Sequence, residues 1–186
     1  MTRMIIRAVR DRAEFITYLR AKLPWAEFCF DRKRDAMDTF LLALDMAGTD
    51  PVIHAEDDIV VCDDFKVRCE AVIAANPDTV IQFFSMRKAD LTQGTRMDKN
   101  FMMGQCFYLP AGYSTQLLSY YPKWPAKEKH PTGLDVMVAD WLKSRRQEHL
   151  IHVPSLVDHR VCRSVIDHRR SSKRQSFTFK GRANDL

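Results

Sequence analysis

Between residues 51 and 60 the chain reads Pro51-Val52-Ile53-His54-Ala55-Glu56-Asp57-Asp58-Ile59-Val60, a short apolar run that ends in three consecutive carboxylates. Pro51 to Ala55 suits a buried strand, and charge begins abruptly at Glu56. Three adjacent acids repel one another, so stability alone does not account for them. At the C-terminal end of a strand in an open α/β sheet they would face the crevice where ligands bind. A hard divalent cation offsets the repulsion, and Mn²⁺ or Mg²⁺ takes a few carboxylates together with phosphate oxygens. Strand alternation predicts Glu56 and Asp58 on one side of the chain and Asp57 on the other. The plainer alternative is an acidic turn in which Asp57 or Asp58 caps a helix.

Outward from this strand, apolar strands alternate with helical stripes. On the N-terminal side, Met4–Val9 reads as a strand, and Ala13–Leu23 as a helix with Phe15, Ile16, Leu19 and Leu23 on one face. A second short strand, Phe28–Phe30, ends at Asp31. A helix over Asp35–Ala47 follows, stopped by Gly48. On the C-terminal side, a helix starts near Asp63 or Asp64 and ends before Pro77, and Thr79–Phe84 is a strand leading into a polar loop that reaches Asn100. Then come a strand over Gly104–Leu109, a short helix to Tyr121, a loop, a helix over Leu134–Ser144 and a strand over His149–Val153. Beyond Pro154 the sequence is polar and irregular. The alternation predicts a single α/β domain with a mainly parallel central sheet flanked by helices.

Composition narrows the class further. With 186 residues and 46% hydrophobic content, the chain can bury one substantial core and is not of disordered type. The longest uncharged stretch, Phe101–Pro122, is interrupted by Gly, Pro, Ser, Thr and Gln and is too polar to span a bilayer. The N-terminal run MTRMIIRAVRDR has too many arginines and too short an apolar core for a signal peptide, so a cytoplasmic protein without a membrane partner is expected. Five cysteines, odd in number and with no C-x-x-C pair, indicate neither a disulfide framework nor a Cys-based zinc site. The net charge of +5 is uneven. Residues 160–186 carry eight basic and two acidic side chains, a net of +6, which leaves −1 for the rest. Such a tail attracts an anionic partner or is simply solvated.

In their order, these motifs resemble the GT-A glycosyltransferases, and within them the small bacteriophage-type enzymes. Val52–Val60 is similar to that family's hydrophobic-x-(Glu/Asp)-Asp-Asp-hydrophobic signature, with Asp64-Phe65 downstream. Pro77-Asp78-Thr79-Val80-Ile81-Gln82-Phe83-Phe84 fits the next strand, and Val153-Pro154-Ser155-Leu156-Val157-Asp158-His159 looks like a Pro-Ser-Leu-Val-x-His element. The resemblance spans residues 3 to 179. It implies a Rossmann-like GT-A domain over residues 1–159, with residues 160–186 a basic tail on or near the active site. It also implies metal-dependent transfer of a sugar from a nucleotide-sugar donor, a UDP-sugar, to a hydroxyl acceptor.

The same resemblance implies roles for individual residues. Asp58 would be the direct Mn²⁺ or Mg²⁺ ligand, Glu56 a ligand through water or a ribose contact, and His159 a C-terminal ligand to the metal or diphosphate. Asp57, Asp31, Arg10, Arg12 and Arg34 fall where the nucleotide sits, and Gly104 where a small residue lets the sugar approach. Asp135, after Thr132-Gly133, falls where inverting members place the catalytic base, though the usual acidic pair reads Leu134-Asp135 here. Asp31 and Asp135 also read as turn and capping acids. Among Tyr120, Tyr121, Trp124 and Trp141, Trp141 continues an apolar stripe, and Trp124, in a loop, is the candidate for an acceptor contact. Arg163, Arg169, Arg170, Lys173 and Arg174 would hold a DNA acceptor through its phosphates, with a hydroxylated base receiving the sugar. Protein or glycan acceptors stay open. So do a metal-dependent nuclease or phosphatase and a non-catalytic nucleic-acid-binding module.

Overall fold

The clearest of the helical stripes has both its ends marked. Asp35 accepts hydrogen bonds from the N–H groups of Met37 and Asp38, and Gly48, at φ 60°, ends the same helix. The computed structural model describes residues 2–163, 165 and 174–181. Its helices are α1 (Ala13–Lys22), α2 (Ala36–Ala47), α3 (Phe65–Ala75), α4 (Asp90–Gln93), α5 (Tyr113–Tyr120) and α6 (Leu134–Ser144). Its strands are β1 (Arg3–Ala8), β2 (Glu27–Phe30), β3 (Val52–Glu56), β4 (Ile59–Val61), β5 (Ile81–Gln82), β6 (Arg96–Asp98), β7 (Cys106–Leu109), β8 (His149–Ile151) and β9 (Val157–His159).

Among the described residues, seven strands form one sheet in the order β2-β1-β3-β7-β5-β8-β6. β1, β2, β3, β5 and β8 point one way, while β7 and β6 are reversed, so the sheet is mixed and mainly parallel. The reversed strands follow the four-residue α4, which is too short for the helical crossover that a parallel connection uses. The two faces of the sheet bury separate cores, and strand alternation assigns residues to them. Met4, Ile6, Ile53 and Ala55 pack with Leu19 of α1 and with Phe65 and Cys69 of α3. Ile5 and Val52 pack with Phe40 and Leu44 of α2, Leu117 of α5 and Met137 and Trp141 of α6. All five cysteines are free thiols. No helix among the described residues is long and apolar enough to cross a membrane.

Three differences from the sequence reading bear on the site. β3 stops at Glu56, and Asp57-Asp58 form a turn into β4, so the alternation inferred for the three acids does not hold past Glu56. The chain after Pro154 is not wholly irregular. β9 pairs antiparallel with β4 in a second, two-stranded sheet, Ile59 opposite His159 and Val61 opposite Val157. Finally, Asp64 precedes α3 in a left-handed conformation (φ 57°) and makes no side-chain cap, unlike Asp35.

Candidate functional site

A cavity of about 350 Å³ opens where β1, β2 and β3 end. Ala8 at the end of β1 with Val9 just beyond it, Asp31 just beyond β2, and Glu56 at the end of β3 form one side. Gly104 and Gln105 before β7, Leu134 and Asp135 at the start of α6, and Arg174 complete it. Of the residues singled out from sequence, Arg12, Asp31, Glu56, Asp57, Asp58, Gly104, Asp135 and Arg174 meet here. His159 lies behind Asp58, fully buried, because the β4–β9 register sets it beside the turn and the Arg160 N–H donates to the Asp58 carbonyl at 2.8 Å.

Arg12 organises the acids. Its Nη1 donates to Asp57 Oδ1 at 2.6 Å and to Asp58 Oδ2 at 2.9 Å. Asp57 Oδ2 accepts the Val9 N–H at 2.7 Å, so both oxygens of Asp57 serve to hold the 3-10 turn Arg10–Arg12 against the β3–β4 turn. Asp58 Oδ2 also lies 3.2 Å from His159 Nε2, while its buried Oδ1 has no hydrogen-bond partner. Arg174 Nη2 reaches the same His159 Nε2 at 2.7 Å. A guanidinium only donates, so that contact needs a lone pair on Nε2, whereas the Asp58 contact needs a proton there. One of the two is unfavourable in either tautomer. A cation accepting electron pairs from both Asp58 and His159 removes the conflict and engages the orphaned Oδ1. The residues present therefore fit a divalent cation.

Burial acts against each of the three adjacent acids Glu56, Asp57 and Asp58, with different outcomes. Glu56 is raised above the ordinary carboxylate range by burial and by the charge of Asp58, against the pull of Arg7. Asp57 is also raised, burial outweighing Arg12. For Asp58, burial is overcome by the hydrogen bond and charge of His159 and by Arg12, and the group is held well below the ordinary range. Asp58 is thus the one of the three whose surroundings favour the ionised form, the form a metal ligand takes.

Arg7 lines the cavity and was missed by the sequence reading. It is buried beneath the acids, 3.6 Å from Glu56 Oε1, with Nη2 donating to the Gly104 carbonyl at 2.8 Å and Nη1 left without a partner. Its guanidinium lies 5.1 Å from the Phe40 ring centroid and 5.9 Å from that of Phe107. An arginine inside the apolar run Met4-Ile5-Ile6-Arg7-Ala8 was the available signal. Cys162 was missed as well. Its Sγ lies close to Asp58 and His159, a group of three potential ligands. No local spacing connects it to Asp58.

Other candidates sit elsewhere. Arg10 and Arg34 line a smaller cavity of about 180 Å³ that shares Val9 and Asp31 with the first. Arg34 makes an exposed pair with Asp11 at 3.0 Å, and Arg10 lies 4.9 Å from the Phe30 ring centroid. Asp31 Oδ1 accepts the Lys33 N–H at 2.9 Å and so also serves its own turn. Asp135 stands in the first turn of α6, where its Oδ1 accepts the Val136 N–H at 3.1 Å. A Cβ on Gly104 would come within 2.4 Å of Leu134 Cδ1, so a larger residue there requires the Leu134 side chain to shift along the cavity wall. Trp124 does not present a ring to an acceptor: it is 2% exposed, and its Nε1 donates to Asp140 Oδ2 at 2.9 Å. Trp124 does lie in a loop, but the preceding 3-10 turn, Tyr121–Lys123, leads its indole into the core. Arg174 is turned into the cavity rather than outward toward a polyanion. Arg163 is exposed, its carbonyl accepting from Arg12 at 3.3 Å. Arg169, Arg170 and Lys173 lie outside the described residues.

No family model matches this sequence, and no curated protein sequence matches it. Among solved structures, a Bacillus anthracis protein assigned as a glucose-1-phosphate thymidylyltransferase, in complex with a sucrose, superposes with a TM-score of 0.45 at 12% identity, over 83% of this chain and 69% of the other.

Proposed function

We propose that the chain is a metal-dependent glycosyltransferase that takes a nucleotide sugar, a UDP-sugar, as donor and a hydroxyl group as acceptor. The observation that carries this reading is the meeting of Glu56, Asp57 and Asp58, at the end of β3, with Asp31, Asp135 and Arg174 around one cavity. Asp31, at the mouth shared by both cavities, has one carboxylate oxygen free of its turn and would accept hydrogen bonds from the nucleoside. Asp58 and His159 would hold Mn²⁺ or Mg²⁺. When bound, the cation neutralises the departing diphosphate and lowers the barrier. Arg12 and Arg174, which balance the acids here, would turn to the donor's phosphates. Asp135 would remove the acceptor hydroxyl proton as the oxygen attacks the anomeric carbon. The basic tail residues Arg163, Arg169, Arg170 and Lys173 favour a hydroxylated base in DNA as acceptor, and the motif order favours a phage-encoded enzyme working in a host cytoplasm.

The test is donor binding by calorimetry, with and without Mn²⁺, followed by mass analysis of DNA incubated with the sugar nucleotide that binds. Wild type should bind a UDP-sugar only with the cation present. Asp58→Asn should lose cation-dependent donor binding and keep its circular dichroism, while its melting temperature falls because Arg12 and His159 lose their charged partner. Full transfer by Asp58→Asn with Mn²⁺ would overturn the ligand assignment. Unmodified DNA beside a glycosylated protein or glycan would overturn the DNA acceptor.

A further inference from the structure

We infer that Cys162 is a third ligand of the Asp58–His159 cation site, making it a mixed oxygen, nitrogen and sulfur site that takes a Zn²⁺-type transition metal in preference to Mg²⁺. The inference rests on the metal-binding part of the function proposed above and deepens it.

The three ligand atoms, an Asp58 carboxylate oxygen, a His159 ring nitrogen and Cys162 Sγ, all lie within 4.8 Å of one another. One small unit positions all three. The Asp57-Asp58 turn leads into β4, β9 delivers His159 opposite Ile59, and the Cys162 N–H donates to the Arg160 carbonyl at 2.9 Å to bend the thiol back toward Asp58. Asp58 and His159 are 4% and 0% exposed, and Asp58 Oδ1 and His159 Nδ1 have no partner. Each ligand already faces positive charge: Arg12 Nη1 on Asp58 Oδ2, Arg12 Nη2 at 3.8 Å from Cys162 Sγ, and Arg174 Nη2 on His159. Two guanidiniums thus serve a spot where one compact cation would serve all three ligands.

The chemistry of the donors selects the metal. Mg²⁺ demands an octahedron of oxygens, and a thiolate is a poor ligand for it. Zn²⁺ accepts carboxylate, imidazole and thiolate together at about 2.0–2.3 Å, in a tetrahedron whose ligand atoms lie about 3.3–3.8 Å apart. Closing the present triad by about 1 Å through side-chain rotation reaches that geometry. Three protein ligands leave a fourth position open, the arrangement of catalytic rather than structural zinc sites. The thiol proton leaves to solvent as the metal binds.

Titration of the full chain with Co²⁺, a spectroscopic stand-in for Zn²⁺, tests this without an assay of activity. The expected result is a thiolate-to-cobalt charge-transfer band and the intense visible spectrum of four-coordinate Co²⁺, saturating at one ion per chain. Equimolar Zn²⁺ should erase both, and a large excess of Mg²⁺ should erase neither. Cys162→Ser should lose the charge-transfer band, keep weaker cobalt binding through Asp58 and His159, and bind Zn²⁺ at least about tenfold less tightly. Cobalt binding with no charge-transfer band, or an unchanged spectrum in Cys162→Ser, would overturn the role of Cys162 and leave the Asp58–His159 site standing. Failure of the wild-type chain to bind Co²⁺, Mn²⁺ or Zn²⁺, with or without UDP, would overturn both.

Discussion

At the scale of single residues, the site is a balance of buried charges, and Arg7 is one of the buried cations in it. Its side chain is 5% exposed, and burial lowers its pKa against the opposing pull of Glu56. Breaking a buried pair leaves an uncompensated charge, which costs more than the pair itself contributes. Arg7→Met should therefore destabilise the fold by about 3 kcal/mol. In a Glu56→Gln background the same change should cost less, because no partly buried carboxylate then loses its cation. Urea unfolding of the four proteins of this cycle measures the coupling, expected at about 1 kcal/mol. Equal costs in both backgrounds would mean that Arg7 matters only to the Gly104 carbonyl and to the rings of Phe40 and Phe107.

At the scale of elements, what could be read from sequence were the pieces with periodicity and marked ends. α2 and α6 match their stripes closely, α6 over the same residues, because each buries one apolar face between a start and a stop signal. β5 shows the limit of that reading. Thr79–Phe84 reads as one strand, but only Ile81 and Gln82 pair within the ladder, although Val80, Phe83 and Phe84 are equally buried. β4 and β9 were illegible, since three residues carry no period and their pairing joins segments about a hundred positions apart. Hence the acidic motif and Asp135 were visible, and the closeness of Cys162 to Asp58 was not. Trp124 erred for a related reason: a loop composition says nothing about where a 3-10 turn will aim an indole. The helix start that was legible gives the next prediction. Asp135 Oδ1 accepts the Val136 N–H at 3.1 Å, so Asp135 supports the start of α6 through the helix dipole, about 0.3–1 kcal/mol, and through a bond that an asparagine oxygen can keep. Asp135→Asn should then lower stability by no more than this while reducing turnover about 10²–10⁴-fold and leaving donor affinity intact. Steady-state kinetics with separate donor titration decides between roles. A parallel fall in donor affinity would move Asp135 to donor binding, and unchanged turnover would leave it a residue of the helix start.

At the scale of the whole molecule, the core on the α2, α5 and α6 side of the sheet contains two buried histidines remote in function from the acids. His54 stands between the rings of Phe40 and Phe107, with centroids at 5.6 Å from each, and both its ring nitrogens lack partners. His149 Nε2 lies 2.8 Å from Gln82 Oε1, with its ring against Phe101. Since the Gln82 amide nitrogen donates to the Met102 and Met103 carbonyls, its oxygen accepts, and Nε2 carries the proton. Burial lowers the His149 pKa to about 4 and pushes His54 well below its ordinary value, with Arg7 adding to the effect there. The unfolded chain takes up a proton near pH 6.5, and folded His149 does not until about pH 4. Stability is therefore insensitive to this group above pH 6.5, falls as pH drops through that window, and has lost about 3 kcal/mol at its lower end. His54 pushes in the same direction. Against a typical total of about 5–15 kcal/mol, such a loss is enough to bring acid unfolding into the mildly acidic range. His149→Gln keeps a donor toward Gln82 and removes the titration. Its unfolding free energy, measured in urea at pH 7 and at pH 4.5, should fall by about 2–3 kcal/mol less than that of wild type over the same interval. The acids of the site titrate in both proteins and cancel in the comparison. The same loss in both proteins would mean that His149 is protonated within the fold and that His54 and the site acids set the acid limit.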